Sequence, residues 1–216
     1  MTSHQFTARR TLFAAILTVS VACAAPENGG DGAAAEAEPT MEVIEVPPQP
    51  MADPADVASV DAIITAVYEV ISGEAGEARD WDRFRSLFAP DARLIPVATE
   101  TSQNGRRSVA NAISPEQFVQ GADDAFVSEG FYEVEIGGVT EMYGDIAHRF
   151  SSYASFRAAD ETEPFNRGIN SFQLLNDGER WWILTIFWQH EPDAGPIPDR
   201  YLEPVRPVPP IIRNNP

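Results

Sequence analysis

The sequence contains no lysine and only one cysteine, Cys23. Because a lone cysteine cannot form an internal disulfide, the chain has to fold without one. All 15 basic side chains are arginines, 33 acidic side chains outnumber them, and the formal net charge is −18. A chain this acidic is repelled by phosphate backbones and by anionic lipid surfaces, so its composition argues against nucleic-acid binding.

Signatures of metal and cofactor sites are also missing. Only two histidines, His148 and His190, follow the first 25 residues, and they show no recognisable metal-ligand spacing. The sequence has no glycine-rich phosphate loop, no nucleophile elbow and no sign of a basic groove. We therefore expect neither a metal ion nor a cofactor.

No hydrophobic run is long enough to span a bilayer, which takes about 20 apolar residues. A shorter run, residues 12–21, follows Arg9 and Arg10 and precedes small residues at positions 22, 24 and 25. A basic start, a short apolar run and a small-residue cleavage site are typical of a signal peptide. The sequence therefore predicts an exported protein whose signal peptide is residues 1–24.

Cys23 decides how the exported chain is held. It ends the stretch Ser20-Val21-Ala22-Cys23, which resembles a bacterial lipobox except that Ser20 stands where an aliphatic residue is usual. The cysteine of a lipobox is acylated, so we expect lipidation at Cys23 and contact with a membrane only through that anchor. The alternative is cleavage after Ala24 and release into the periplasm or beyond.

The composition divides the remainder of the chain into three parts. Residues 25–56 are acidic, rich in alanine and proline, and without apolar periodicity, which predicts a disordered linker. Residues 57–202 carry the regular patterns of one folded domain. Residues 203–216 hold five prolines, which exclude a helix, and their valines and isoleucines favour an arm docked on the domain.

Three helices are predicted at the start of the domain. Apolar residues recur at helical spacing over 57–71, with Asp53 as the expected N-cap. Asp80 is the expected cap of a second, shorter helix. Ser114 begins a third helix, which ends before Gly130.

The periodicity then changes to two, which is typical of strands. Strands are predicted over residues 131–140, 146–157, 165–175 and 181–190, with a short strand earlier, over 92–98. Asn176-Asp177-Gly178-Glu179 predicts a hairpin turn. Helices at the start and an antiparallel sheet at the end indicate an α+β domain with the helices on one face of the sheet.

Two local motifs carry a family resemblance. Residues 81–92 (WDRFRSLFAPDA) resemble the approach to the first strand in the nuclear transport factor 2-like superfamily, and residues 177–184 (DGERWWIL) resemble the start of its last strand. The resemblance covers about residues 57–202 and includes the SnoaL-like and ketosteroid-isomerase-like members. It implies a cone-shaped, curved antiparallel sheet wrapped around the N-terminal helices, a cystatin-like α+β roll with an apolar pocket.

The resemblance also implies partners. Many members dimerise through the outer face of the sheet, so a homodimer and a small apolar ligand are expected. In residues 181–190 both alternating sets of side chains are largely apolar, whereas a strand buried on one face should alternate with polar residues. This pattern predicts that a second subunit or the C-terminal arm covers the outer face.

His148 is the expected acid–base residue. It should share a strand face with Ile146 and Phe150 and point into apolar surroundings, where a neutral imidazole can transfer a proton near neutral pH. The alternative is a packed histidine whose ring nitrogens bind the backbone. Neither the second histidine of the superfamily's dehydratases nor the paired aspartates of its epoxide hydrolases can be placed, which weakens the enzyme hypothesis.

A hairpin loop of two or four residues would place Arg167 opposite Trp188 and Asn170 opposite Thr185. Arg167 would then stack on Trp188 or bind an anionic ligand, and an odd loop length would destroy this pairing. The side chains expected to contact a ligand are Tyr68, Arg93, Arg167, Asn170 and Trp188.

Two functional hypotheses follow. The first is an exported domain that binds a small apolar ligand or serves as an assembly module. The second is a cofactor-independent lyase or isomerase, similar to the superfamily's dehydratases or ketosteroid isomerases, with His148 as the residue that transfers the proton.

Overall fold

The computed structural model describes residues 49–103 and 105–205. The predicted signal peptide, the lipidation site Cys23, most of the linker and residues 206–216 lie outside the described residues. The described helices are α1 (Val60–Ile71), α2 (Trp81–Ser86), α3 (Pro115–Glu129) and α4 (Glu191–Ala194), with a 3-10 turn at Asp199–Tyr201. The described strands are β1 (Phe88–Ser102), β2 (Gly105–Ala110), β3 (Tyr132–Tyr143), β4 (Ile146–Phe156), β5 (Asn166–Asn176) and β6 (Trp181–His190).

The first three helices begin at side chains that accept hydrogen bonds from free backbone N–H groups. Asp80 caps α2 and Ser114 caps α3, as predicted. α1 begins at Val60, and its cap is Ser59, whose hydroxyl oxygen lies 3.0 Å from the backbone nitrogen it binds. The prediction that Asp53 caps α1 is therefore wrong, because Asp53 accepts from the backbone of a separate turn.

The end of the predicted linker already contacts the domain. The side-chain amide of Gln49 donates to the carbonyl oxygen of Arg85 at 3.1 Å. Asp56 forms a two-pronged pair with Arg83, in which both N–O distances are 2.8 Å. Contacts with the domain thus begin before the predicted boundary at residue 57.

The six strands form one curved, mixed sheet in the order β2-β1-β6-β5-β4-β3. Neighbouring strands are antiparallel except β1 and β6, which are parallel. The four strands after α3 lie where the sequence predicts them, and the helices pack on one face, which confirms the α+β class. No pattern predicts β2, because this edge strand is polar and mostly exposed.

The hairpin of β5 and β6 contains a bulge. Gln173 pairs with Thr185 but Leu174 pairs with Ile183, so Leu184 is left out of the ladder. This extra residue moves the inner side of β6 from odd to even positions. Residues of both alternating sets therefore face the core, each set in one part of β6. This explains why both sets are largely apolar, whether or not another segment covers the outer face.

The observed register changes the predicted cross-strand pairs. Asn170 lies opposite Trp188, not opposite Thr185. The Nη1 atom of Arg167 lies 3.5 Å from the carboxylate of Glu191, at the start of α4. The predicted pair of Arg167 and Trp188 is therefore wrong, because both the turn and the bulge shift the register.

The core lies between α1 and the inner face of the sheet, with further apolar side chains from α2 and β1. α1 contributes a continuous buried stripe that includes Val60, Ile63, Ile64, Val67, Tyr68 and Ile71. Within residues 49–103 and 105–205, no helix has both the length and the apolarity to cross a membrane.

One buried arginine connects the ends of two helices. Arg79 is 6% exposed and donates to five backbone carbonyl oxygens, those of Ile71, Gly73, Glu74, Glu77 and Phe126. The carbonyl oxygens of Gly73 and Glu74 also accept from backbone N–H groups, so Arg79 is the donor that satisfies the other three. Gly73 leaves the necessary space, because a Cβ there would lie 2.6 Å from Arg79 Nη1.

The segment that follows α4 covers the outer face of β3 and β4. Ser152 donates to the carbonyl oxygen of Tyr201 at 2.8 Å, and the backbone of Gly138 donates to that of Glu203 at 3.2 Å. Phe150 packs edge-on against Tyr201, with ring centroids 4.8 Å apart. These contacts support docking of the described part of the arm, whereas the homodimer stays a prediction.

Candidate functional site

A cavity of about 440 Å³ lies between helices α1 and α3 and the inner face of the sheet. Its wall is mainly apolar and aromatic and includes Phe84, Phe118, Phe126, Phe131, Phe172 and Trp188. A volume and a lining of this kind are typical of small-molecule sites. The structure therefore contains the apolar pocket that the family resemblance implies.

Exposed side chains mark the opening of the cavity. Phe165 is 46% exposed, and the guanidinium carbon of Arg157 lies 4.0 Å from the centroid of its ring. Arg157 also pairs with Glu129, at 3.0 Å. These three lining residues place the opening between the end of α3, the end of β4 and the loop before β5.

The carboxyl group of Glu133, on β3, is part of the cavity wall. Ser155 donates to its Oε2 at 2.8 Å, and Asn170 donates to its Oε1 at 3.4 Å. Among the described residues, no arginine forms a salt bridge with it. Burial raises the pKa of Glu133 to about 7, against the opposing effect of the two hydrogen bonds. The carboxyl group can therefore both bind and release a proton near neutral pH.

A second polar cluster on the wall consists of Tyr153, Asn166 and His190. The hydroxyl of Tyr153 and Nδ2 of Asn166 both lie 2.7 Å from Nδ1 of His190. Burial lowers the pKa of His190, and the nearby carboxylate of Asp193 acts in the opposite direction. Burial also raises the pKa of Tyr153. The cluster therefore presents neutral hydrogen-bonding groups to the cavity at pH 7.

Gly168 makes the contact between Tyr153 and His190 possible. It pairs with Tyr153 on one side and with His190 on the other. A Cβ at this position would lie 2.7 Å from Cζ of Tyr153, which is closer than real Cβ atoms come to other groups. The missing side chain lets the tyrosine ring cross β5 and reach the histidine on β6.

A buried ion group lies on the same face of the sheet. Arg149, 2% exposed, binds Glu135 through Nε at 2.9 Å and through Nη2 at 2.5 Å. Its Nη1 donates to Asp61 on α1 at 3.0 Å. A two-pronged geometry of this kind is the strongest that an arginine and a carboxylate form, so these side chains are held in place.

Comparison with known proteins finds similarity at the level of structure. No family model matches the sequence, and no curated protein matches it. A protein of unknown function with a cystatin-like fold from Nostoc punctiforme is 13% identical and aligns over 62% of this chain and 90% of its own, with a TM-score of 0.46. A nuclear transport factor 2-like protein of unknown function from Silicibacter pomeroyi is 14% identical over 62% and 93%, with a TM-score of 0.41.

A nuclear transport factor 2-like superfamily protein from Salmonella enterica is 14% identical over 59% of this chain and 84% of its own, with a TM-score of 0.40. In fold, the chain is similar to nuclear transport factor 2-like proteins. At such identities the similarity concerns the fold alone.

Three of the side chains expected to contact a ligand line the cavity: Tyr68, Asn170 and Trp188. Two do not. Arg93 is exposed and donates to backbone carbonyl oxygens of its own strand, and Arg167 is paired with the start of α4. Arg93 and Arg167 therefore do not line this cavity.

His148 lies on the outer face of the sheet and not in the cavity. Its Nε2 is 3.0 Å from the hydroxyl of Ser171, and Ile146 on the same face is 56% exposed. The prediction that His148 points into the apolar interior is wrong. The inner face of β4 carries polar residues such as Arg149 and Ser151, which can be buried because both are hydrogen-bonded to Glu135. The apolar residues that alternate with them therefore lie on the outer face, and His148 lies there with them.

Glu133, Tyr153 and His190 were not predicted as cavity residues. Glu133 and Glu135 alternate in β3, and the facing strand β4 supplies hydroxyls and Arg149. Glu133 and Glu135 at alternate positions, opposite hydroxyl groups and an arginine on β4, are a sequence signal for a polar inner face. It becomes visible only once β3 and β4 are known to be paired.

Proposed function

We propose that this domain is a cofactor-independent enzyme that moves a proton within a small, largely apolar molecule, as an isomerase or a lyase, with Glu133 as its acid–base residue. The observation that carries the proposal is the position of the Glu133 carboxyl group. It lies on an apolar cavity wall, accepts from two neutral donors and, among the described residues, forms no salt bridge. A carboxylate with only a structural role would be paired or exposed, because an unpaired buried charge is costly.

The acidity of Glu133 fits this chemistry. Proton transfer is most efficient when the pKa of the catalytic group lies near the working pH. Burial brings the pKa of Glu133 to about 7, so both of its protonation states are populated in neutral solution. The same carboxyl group can therefore remove a proton in one step and return it in another.

The reaction that fits best is proton transfer on a carbon acid. The Glu133 carboxylate would take a proton from a carbon next to a carbonyl group, and the C–H electron pair would move into the carbonyl to form an enolate. Hydrogen bonds from Asn166 and from the N–H group of His190, whose Nδ1 atom accepts from Tyr153 and Asn166, would stabilise the charge on that oxygen. In an isomerase Glu133 returns the proton to a different carbon, and in a lyase the enolate expels a leaving group from the next carbon.

The cavity also limits the substrate. A volume of about 440 Å³ lies at the small end of the range for ligand sites. The mainly apolar wall favours a hydrocarbon skeleton, and the net charge of −18 disfavours anions. A small, neutral carbonyl compound meets these conditions.

Binding of such a molecule without chemistry is the second candidate function, and the apolar wall favours it. The two functions differ in what they require of Glu133. A binding domain needs the shape and apolarity of the cavity and tolerates glutamine at this position. An enzyme of the proposed kind does not, because an amide cannot accept the proton.

Deuterium exchange tests the proposed function. The protein is incubated in D2O with a panel of small neutral ketones, and deuterium incorporation next to the carbonyl is followed by NMR. We expect the wild type to catalyse exchange and Glu133→Gln to catalyse it at least about 100-fold more slowly. Glu141→Gln, which changes an exposed carboxyl on the same strand, is the matched control and should keep the wild-type rate.

The outcomes separate the two functions. Ketone binding by both proteins without exchange would favour the binding domain. Exchange that is undiminished in Glu133→Gln would rule out Glu133 as the acid–base residue.

We also propose that the domain works outside the cytoplasm as a homodimer, tethered by a lipid at Cys23. The signal-peptide pattern of residues 1–24 and the lipobox-like sequence support export and lipidation. The family resemblance supports the dimer.

A further inference from the structure

A chain of hydrogen bonds connects the cavity to the buried ion pair of Arg149 and Glu135. It runs through Glu135, Ser151, Tyr68, Asn170 and Glu133. The three middle residues are almost inaccessible, with exposures of 0% for Ser151, 5% for Tyr68 and 7% for Asn170. Ser151 is fully buried and does not line the cavity, so water cannot readily replace a partner lost there, and the members of the chain depend on one another.

The direction of every donor in the chain follows from the ion pair. The carboxylate of Glu135 can only accept, and Arg149 can only donate. Ser151 has one hydrogen, which it donates to Oε1 of Glu135 at 2.5 Å. The 2.7 Å contact between Ser151 and Tyr68 therefore requires the phenol to be the donor.

The tyrosine in turn fixes the orientation of Asn170. Because the hydrogen of Tyr68 is committed to Ser151, the phenol oxygen accepts from Asn170 Nδ2, at 3.1 Å. The amide nitrogen, and not the amide oxygen, consequently faces Glu133, whose Oε1 it reaches at 3.4 Å. If the Asn170 amide were reversed, its oxygen would face the carboxylate oxygen of Glu133, and neither atom could donate a hydrogen bond.

We infer that the Arg149–Glu135 pair, acting through Ser151 and Tyr68, is a positioning device that keeps Asn170 a donor to Glu133 and thereby helps to stabilise the ionised form of that carboxyl group. This inference rests on the proposed role of Glu133. Tyr68 lines the cavity, but its hydrogen is not available to a ligand. Tyr68 is therefore a positioning residue.

The titration of Glu133, followed by its side-chain carboxyl carbon in NMR, tests the inference on the protein without ligand. In Ser151→Ala the phenol loses its acceptor and turns to Asn170, whose amide reverses. We expect the pKa of Glu133 to rise by about half a unit, the equivalent of a weak hydrogen bond. Asn170→Leu, which removes the donor itself, should give the same direction of shift.

Two further variants distinguish positioning from a general disturbance. Ser152→Ala, on the opposite face of the same strand, should leave the pKa of Glu133 at the wild-type value. Because Ser151 acts only through the phenol, adding Ser151→Ala to Tyr68→Phe should cause no further shift. If Ser151→Ala does not fold, Ser151→Cys replaces it, because a thiol keeps the volume but bonds weakly.

The result that overturns the inference is a Glu133 pKa that is the same in the wild type, Ser151→Ala and Ser152→Ala, or a shift that is equally large in the Tyr68→Phe background. A wild-type pKa near the ordinary value would instead remove the basis of the proposed function. The two failures are therefore distinguishable.

Discussion

Replacement of Glu133 by glutamine is expected to raise the free energy of unfolding at pH 8 by about 3 kcal/mol and to leave it nearly unchanged at pH 4. The pKa of this carboxyl group is about 7 in the folded protein, against 4.5 for an ordinary glutamate. Between these two values the unfolded chain has released its proton and the folded chain has not. The unfolded state then binds fewer protons, so stability falls as the pH rises through this window.

Above pH 7 both states are ionised, and the cost of the buried charge is fully present. Glutamine never ionises, so the variant avoids that cost at pH 8 and gains nothing at pH 4. Urea unfolding at pH 4, 6 and 8 measures the effect. Glu141→Gln, an exposed carboxyl on the same strand, should show no such pH dependence. An equal effect of Glu133→Gln at pH 4 and pH 8 would contradict the prediction.

Arg79→Met is expected to lower the free energy of unfolding by at least about 3 kcal/mol, because several buried carbonyl oxygens lose their donor at once. The guanidinium group serves five carbonyls between the end of α1 and α3. Methionine fills a similar volume but donates no hydrogen bond. In a domain of this size the loss corresponds to a decrease in Tm of about 6–12 °C.

The matched control is Arg93→Met, because Arg93 is exposed and its guanidinium binds only nearby backbone among the described residues. It should change the free energy of unfolding by less than about 0.5 kcal/mol. Calorimetry of the three proteins at one pH provides the comparison. Equal Tm values for the two variants would show that Arg79 does not hold the helix ends together.

Features with local causes could be predicted from the sequence. A side chain that accepts from the first turn specifies where a helix starts, which is why Asp80 and Ser114 were placed correctly. Alternation of apolar residues specifies a strand, and the turn at 176–179 specifies a hairpin. These signals suffice for the α+β class and for the order of the first three helices and of the strands other than β2.

The register of paired strands, and the face of the sheet on which a side chain lies, depend on contacts between distant segments. Local sequence patterns do not determine them, and the predictions that concern them are wrong. The position of the turn and the bulge at Leu184 both shift the register, and neither is visible until β5 and β6 are paired, so the predicted partner of Asn170 is wrong. His148 was assigned to the interior because apolar residues flank it. The true inner face of β4 is polar, since Arg149 and Ser151 are buried by pairing with Glu135.

The pairing of polar groups on the inner face also explains why Glu133 is not predicted as a cavity residue. A glutamate in a strand is usually taken for a solvent-facing residue, because charged groups are seldom buried. Its place in the cavity wall depends on donors from two other strands, Ser155 on β4 and Asn170 on β5. Three of the predicted ligand-binding residues do line the cavity, and Glu133 supplies the carboxyl group that the prediction lacked.

The NMR titration of Glu133 itself, in the wild-type protein, tests most directly whether this residue can transfer a proton at neutral pH. Its carboxyl carbon is assigned by the signal that disappears in Glu133→Gln, and the chemical shift is followed from pH 3 to pH 9. We expect a midpoint of about 7, which would establish a protonatable carboxyl in the cavity wall. A midpoint near 4.5, the ordinary value for glutamate, would contradict the proposed role of Glu133 in proton transfer.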